Sequence, residues 1–134
     1  MSIRSISHVT FIVHDLERMK LFLCEGLGAV EVYDSAEKNF SLAREKFFTF
    51  GSTWLVAMEG KASVERSYQH LAFEVDASDL DLFETRLRKL GVEFKGPRPR
   101  LTGEGQSLYF YDFDNHLFEL HTGTLKQRLA SYAS

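Results

Sequence analysis

Residues 6–13 are rich in β-branched and aromatic side chains and predict a strand. Side chains alternate across a strand, so His8, Thr10 and Ile12 share one face and Val9, Phe11 and Val13 the other. At Asp15, a good N-cap, the period changes. Leu16, Met19, Phe22 and Leu23 then recur at helical spacing, until Gly26 or Gly28 ends the helix. A short strand is predicted at 30–33, followed by a polar loop to Phe40. Two apolar runs, 45–50 and 54–58, flank Gly51-Ser52 and predict a hairpin, and residues 60–67 make a polar connector.

The same order then recurs. Residues 69–75 predict a strand with His70, Ala72 and Glu74 on one face. Ser78 is the predicted cap of a helix whose buried stripe is Leu80, Phe83, Leu87 and Leu90, stopped by Gly91. A short strand at 92–95 and a second hairpin, 108–111 with 117–121, complete the repeat, and 125–132 reads as a helical turn or two. The chain is therefore predicted to be α+β, one domain built from two tandem βαβββ modules, about 1–62 and 63–134. The modules match weakly: His8-Val-Thr-Phe against His70-Leu-Ala-Phe, and Leu27-Gly28 against Leu90-Gly91.

If the helices cover Val9, Phe11, Leu71, Phe73, Phe118 and Leu120, the opposite face collects His8, Thr10, His70, Glu74, Ser107, Tyr109, Tyr111, Glu119 and His121. Such a face is too polar for a second core and predicts the lining of a wet cavity. Within it, Glu119 stands in the middle of an apolar strand, where a carboxylate needs a cation, a proton or hydrogen-bond donors. His8 and His70 occupy the same place in the two repeats. Two imidazoles and one carboxylate on different strands make a divalent-metal site with open positions. Nitrogen and carboxylate ligands without thiolate suit Mn, Fe, Co, Ni or Zn and do not choose among them. His121 shares the face of Glu119 and competes as a ligand, whereas His14 and His116 are expected to be exposed.

Composition narrows the class. With 134 residues the chain can bury a core, and its net charge of −3 argues against non-specific nucleic-acid binding. A single cysteine, Cys24, excludes an intramolecular disulfide and is expected to pack inside the first helix. No apolar run is long enough to span a membrane, and the first residues lack a signal peptide's layout, so a cytoplasmic protein is expected. Glu45, taken alone, is expected to be an exposed edge carboxylate, and the basic residues Arg98, Arg100, Lys126 and Arg128 flank the last hairpin, where together they suit a phosphate-like anion.

These features resemble the vicinal-oxygen-chelate (glyoxalase/bleomycin resistance) superfamily, whose paired βαβββ modules form cupped sheets around a metal. The closer resemblance is to the fosfomycin resistance proteins of the FosX type. It rests on residues 7–13, 40–48, 65–70, 103–112 and 114–125, and the run Arg44-Glu45-Lys46-Phe47-Phe48 is the most specific part. The resemblance implies that His8, His70 and Glu119 bind Mn²⁺. It implies a homodimer whose modules pair between chains, so that His8 comes from one subunit and His70 with Glu119 from the other. It implies that Thr10, Ser107, Tyr109 and Arg128 contact the phosphonate of fosfomycin. It also makes Glu45 the general base for water attack at C1 of the epoxide, giving a vicinal diol phosphonate. Thiol-transferring relatives hold a monovalent cation in the loop matching residues 97–106; that site is not carried over, and Arg98 or Arg100 is the candidate for its charge. Three other chemistries use this scaffold: thiol transfer to the same epoxide, Fe(II) extradiol dioxygenation, and drug sequestration without catalysis. Glu45 argues against the first, chain length against the second, and the retained ligand set against the third.

Overall fold

The computed structural model describes residues 1–36, 38, 42–62, 65–96 and 102–133. They form two compact units, Met1–Val64 and Glu65–Ser134. The first contains β1 (Val9–Val13), α1 (Leu16–Lys20), a π-helical continuation (Leu21–Gly26), β2 (Val30–Asp34), β3 (Glu45–Phe50) and β4 (Thr53–Glu59). The second contains β5 (His70–Glu74), a 3₁₀ turn (Ala77–Asp79), α2 (Leu80–Lys89), β6 (Phe94–Lys95), β7 (Ser107–Tyr111), β8 (Leu117–His121) and α3 (Leu125–Ala133). Each unit is thus a strand, a helix and three strands, and the arrangement is α+β as the pattern predicts.

Both sheets are mixed and four-stranded, ordered β1-β4-β3-β2 and β5-β8-β7-β6, with β1 parallel to β4 and β5 parallel to β8. Register decides what shares a face. Thr10 lies opposite Val56 and Ile12 opposite Met58, while Glu45 lies opposite Met58 and Phe47 opposite Val56. Glu45 and Thr10 therefore emerge on one side of the first sheet. The other side carries Val13, Phe48, Leu55 and Ala57, all fully buried. α1 packs on β4, and this helical segment buries Leu16, Met19, Phe22 and Leu23. In the second sheet Phe73, Phe110 and Phe118 form a continuous stack, with ring centroids 6.3 and 6.2 Å apart.

Local signals held where they were strongest. Asp15 accepts hydrogen bonds from the Glu17 and Arg18 amides, as an N-cap does. Gly28 and Gly91, at φ 78° and 76°, end their helices in the left-handed region, so Gly28 rather than Gly26 is the stop. Other expectations are corrected. Ser78 is not a cap: it lies inside the 3₁₀ turn, and Asp79 precedes α2 without a side-chain hydrogen bond. The strand expected at 92–95 is only Phe94–Lys95, although Tyr111 N–H still bonds Glu93 O just before it. Cys24 is partly exposed rather than core, and its thiol is pushed up by burial and by the Glu31 carboxylate. His116 is half-buried: its Nδ1 lies 2.7 Å from Asp112 Oδ2, and Asp112 also accepts from the Asp114 and His116 amides. The C-terminal turn is a nine-residue helix. Among the described residues no helix is long and apolar enough to cross a membrane.

Candidate active site

Two polar faces carry the candidate residues, one in each unit. On the first sheet His8 directly precedes β1 and is exposed. Its ring rests on Trp54, with centroids 4.2 Å apart, and Ser7 Oγ lies 3.0 Å from its Nδ1. Thr10 is exposed beside it. Glu45 opens β3 and is half-buried. Its backbone is bracketed by Ser35, whose N–H donates to Glu45 O at 3.0 Å while Glu45 N–H donates to Ser35 Oγ at 2.9 Å. These two bonds fix the strand end, so the Glu45 side chain starts from a defined backbone position. Phe47 touches both Tyr33 and Trp54, at ring separations of 4.8 and 5.2 Å. The indole N–H of Trp54 is buried with no hydrogen-bond partner among the described residues.

On the second sheet, register places Ala72, Tyr109 and Glu119 side by side and brings Ser107 opposite His121. Glu119 is only 4 % exposed. Ser107 Oγ donates to its Oε2 at 2.5 Å, and His70 Nε2 lies 3.1 Å from its Oε1. His70 Nδ1 is 2.7 Å from the Tyr68 carbonyl. A carbonyl only accepts, so Nδ1 carries the proton and the neutral ring presents a bare Nε2 lone pair to Glu119. Two electron-pair donors facing each other at 3.1 Å need a positive charge between them or a second proton on the ring. A borderline divalent cation with one imidazole nitrogen and one carboxylate oxygen as ligands satisfies that need, so the residues present fit a metal such as Mn²⁺. Among the described residues of either unit, no three His, Cys, Asp or Glu side chains gather into such a site.

Beside this pair Tyr68 and Tyr109 flank the imidazole, with ring centroids 4.9 and 5.5 Å from His70, and the two hydroxyls lie 3.2 Å apart. Lys95 sits over the Tyr68 ring at 5.6 Å. His121 is not a free competitor for the metal. Its Nδ1 is 2.8 Å from Ser107 Oγ and its Nε2 accepts from Arg128 Nη2 at 3.3 Å. Ser107 and Arg128, expected on an anion, thus also hold side chains of the protein. Arg98 and Arg100 lie outside the described residues. Sequence reasoning gave no role to Trp54, Tyr68 or Lys95; alternation places the first with His8 and the others with His70, but nothing local distinguishes them from packing residues.

The model of the Glyoxalase/Bleomycin resistance protein/Dioxygenase superfamily matches residues 5–120. The fosfomycin resistance protein FosX of Mesorhizobium japonicum is 54 % identical over 98 % of this chain and 94 % of its own. FosX of Listeria monocytogenes is 49 % identical over 97 % of this chain and 98 % of its own. A crystal structure of a mutant of the Listeria protein, in complex with Mn(II) and 1S,2S-dihydroxypropylphosphonic acid, superposes with a TM-score of 0.88 at 47 % identity, covering 98 % of this chain and 99 % of that one. With its paired units, its His70–Glu119 pair and these matches along nearly its full length, the chain belongs to the FosX-type fosfomycin resistance proteins of the glyoxalase/bleomycin resistance superfamily.

Proposed function

We infer that the protein hydrolyses the epoxide of fosfomycin in an Mn²⁺-dependent reaction and so confers resistance to that antibiotic. The observation that carries this reading is the His70 Nε2–Glu119 Oε1 pair at 3.1 Å, in a chain whose Listeria relative holds Mn(II) and a vicinal diol phosphonate. His70 and Glu119 hold the metal together with His8, and His8 comes from the other chain of a homodimer. This assignment is supported by the matched positions of His8 and His70 in the two repeats. A divalent cation held by these residues would supply Lewis-acid stabilisation to the epoxide oxygen.

The remaining work falls to side chains. Glu45 is the general base: it takes a proton from water as the water oxygen bonds C1 of the epoxide. The C1–O bond breaks, its electron pair stays on oxygen, and a proton from solvent completes the diol. Thr10 and Tyr109 orient the phosphonate through hydroxyl donors, with Ser107 and Arg128 beside them, and Arg98 or Arg100 adds positive charge. Glu45 needs no thiol partner, which separates this reaction from thiol transfer. A reducing cytoplasm suits a chain with one cysteine.

Phosphorus NMR of fosfomycin with Mn²⁺-loaded protein, with and without glutathione, tests the reading. Diol must form without thiol; a thioether formed only with thiol would overturn it. Glu45→Gln should keep Mn²⁺ and substrate binding while turnover falls on the order of a hundredfold or more. Near-normal turnover in that variant would remove Glu45 from the chemistry.

A further inference from the structure

Three side chains form a continuous chain behind Glu119. Arg128 Nη2 lies 3.3 Å from His121 Nε2. A guanidinium has no acceptor, so Nε2 accepts and the proton of the neutral ring is on Nδ1. His121 Nδ1–H then donates to Ser107 Oγ at 2.8 Å. With its oxygen accepting from the imidazole, the Ser107 hydroxyl is left to donate, and it does so to Glu119 Oε2 at 2.5 Å. Every proton in the series is thereby directed toward the carboxylate. Oε2 is satisfied from behind and Oε1 is turned to His70 Nε2. The Gly123 backbone also approaches Nε2 so closely that an added Cβ would sit 2.8 Å from that atom. Neither nitrogen of His121 is open to a metal.

We propose that His121 is a positioning residue for the metal ligand Glu119, acting through Ser107, with Arg128 selecting the tautomer that makes the relay run in this direction. The proposal rests on the reading of Glu119 as a ligand. The protein thus presents a carboxylate with one oxygen already committed, which orients it for monodentate binding by the other. Residues that hydrogen-bond a metal ligand from behind typically change metal affinity 10- to 100-fold when lost.

The test is Mn²⁺ affinity of the metal-stripped protein, read from the electron paramagnetic resonance signal of free Mn²⁺, with long-range ¹H–¹⁵N NMR of the His121 ring. His121→Phe, which fills the space without a donor, should raise the Mn²⁺ Kd about 10- to 100-fold. His121→Asn, which keeps a donor near the Nδ1 position, should stay within about threefold of wild type. Ser107→Ala removes one oxygen with little risk to folding and should match His121→Phe. The double variant should be no weaker than the worse single one, because His121 is proposed to act on Glu119 only through the Ser107 hydroxyl that Ser107→Ala already removes. In the wild type the ring should show the Nδ1–H tautomer, and Arg128→Met should shift it toward Nε2–H and weaken Mn²⁺ binding. An unchanged Kd in Ser107→Ala, losses that multiply in the double variant, or an Nε2–H ring in the wild type would each overturn the relay. Glu119→Gln separates the two levels. If it binds Mn²⁺ like wild type, the ligand reading itself fails; if it loses the metal while His121→Phe does not, only the relay fails.

Discussion

Glu119 is a carboxylate made tolerable in a buried strand by what touches its two oxygens. Ser107 donates to one, and His70 Nε2 lies 3.1 Å from the other, where a shared cation is proposed. A similar economy of space governs Gly123. A Cβ there would lie 2.4 Å from the Glu104 carbonyl oxygen and 2.8 Å from His121 Nε2, while a Cβ on Gly105 would lie 2.7 Å from Gly123 N. The two backbone segments cross at a distance that only glycines allow. Gly123→Ala must move either a backbone carbonyl or the imidazole. It should cost about 2–3 kcal/mol in urea unfolding and weaken Mn²⁺ binding together. A variant as stable as wild type would mean that the crossing yields without strain.

At the level of the element, β3 carries opposite chemistry on its two faces. Glu45 faces the polar side, whereas Lys46 next to it turns inward and is 2 % exposed. Its ammonium donates to Glu31 Oε1 at 2.5 Å and Asp34 Oδ2 at 2.9 Å, and Glu17 Oε1 is 3.3 Å away. Burial works to lower the Lys46 pKa, but these three carboxylates outweigh it and raise it. Asp34 is pulled down to about 2, first by the Lys46 ammonium and then by the Ala36 amide. The cluster ties β3 to β2 and to α1, and so anchors the strand end from which Glu45 projects. Lys46→Met should destabilise by about 2 kcal/mol, below the ~3–5 kcal/mol of a fully buried pair because the orphaned carboxylates can reach water. The pH dependence follows from Asp34. An unfolded Asp titrates near about 3.9, so its contribution is complete above that pH and is lost as pH falls through about 2. Urea midpoints measured from pH 5 to 2 should fall in the wild type and fall less in Lys46→Met; equal slopes would remove Lys46 as the cause.

For the molecule as a whole, the duplicated unit places His8 on one sheet and His70 with Glu119 on another. Under the proposed pairing of modules between chains, a dimer of His8→Ala with Glu119→Gln has one site with both lesions and one with none. Two variants, each inactive alone, should therefore recover about a quarter of wild-type activity after random mixing and refolding, since half the dimers are mixed and each has one intact site. No recovery, with mixed dimers demonstrated by tagging, would assign all three ligands to one chain.

Much of this was legible in the residue order. The repeat, the strand faces, the hairpin at Gly51-Ser52 and the stops at Gly28 and Gly91 depend on period and turn chemistry, which are local, so His8, Thr10, His70 and Glu119 could be placed on polar faces without a structure. What a side chain meets on its face is not local. It depends on register and helix docking, which join residues far apart in the chain. Nothing near Lys46 marks it as buried; its partners are 12 and 15 residues away. Ser107 meets Glu119 only because β7 and β8 pair in one register, and His121 Nε2 has a partner because α3 brings Arg128 to it. By itself the sequence determined which residues form the polar faces, because alternation is a property of each strand. Which oxygen of Glu119 meets Ser107 and which meets His70 follows from the tertiary structure, because that choice is made by strand pairing and by the hydrogen bonds it brings together.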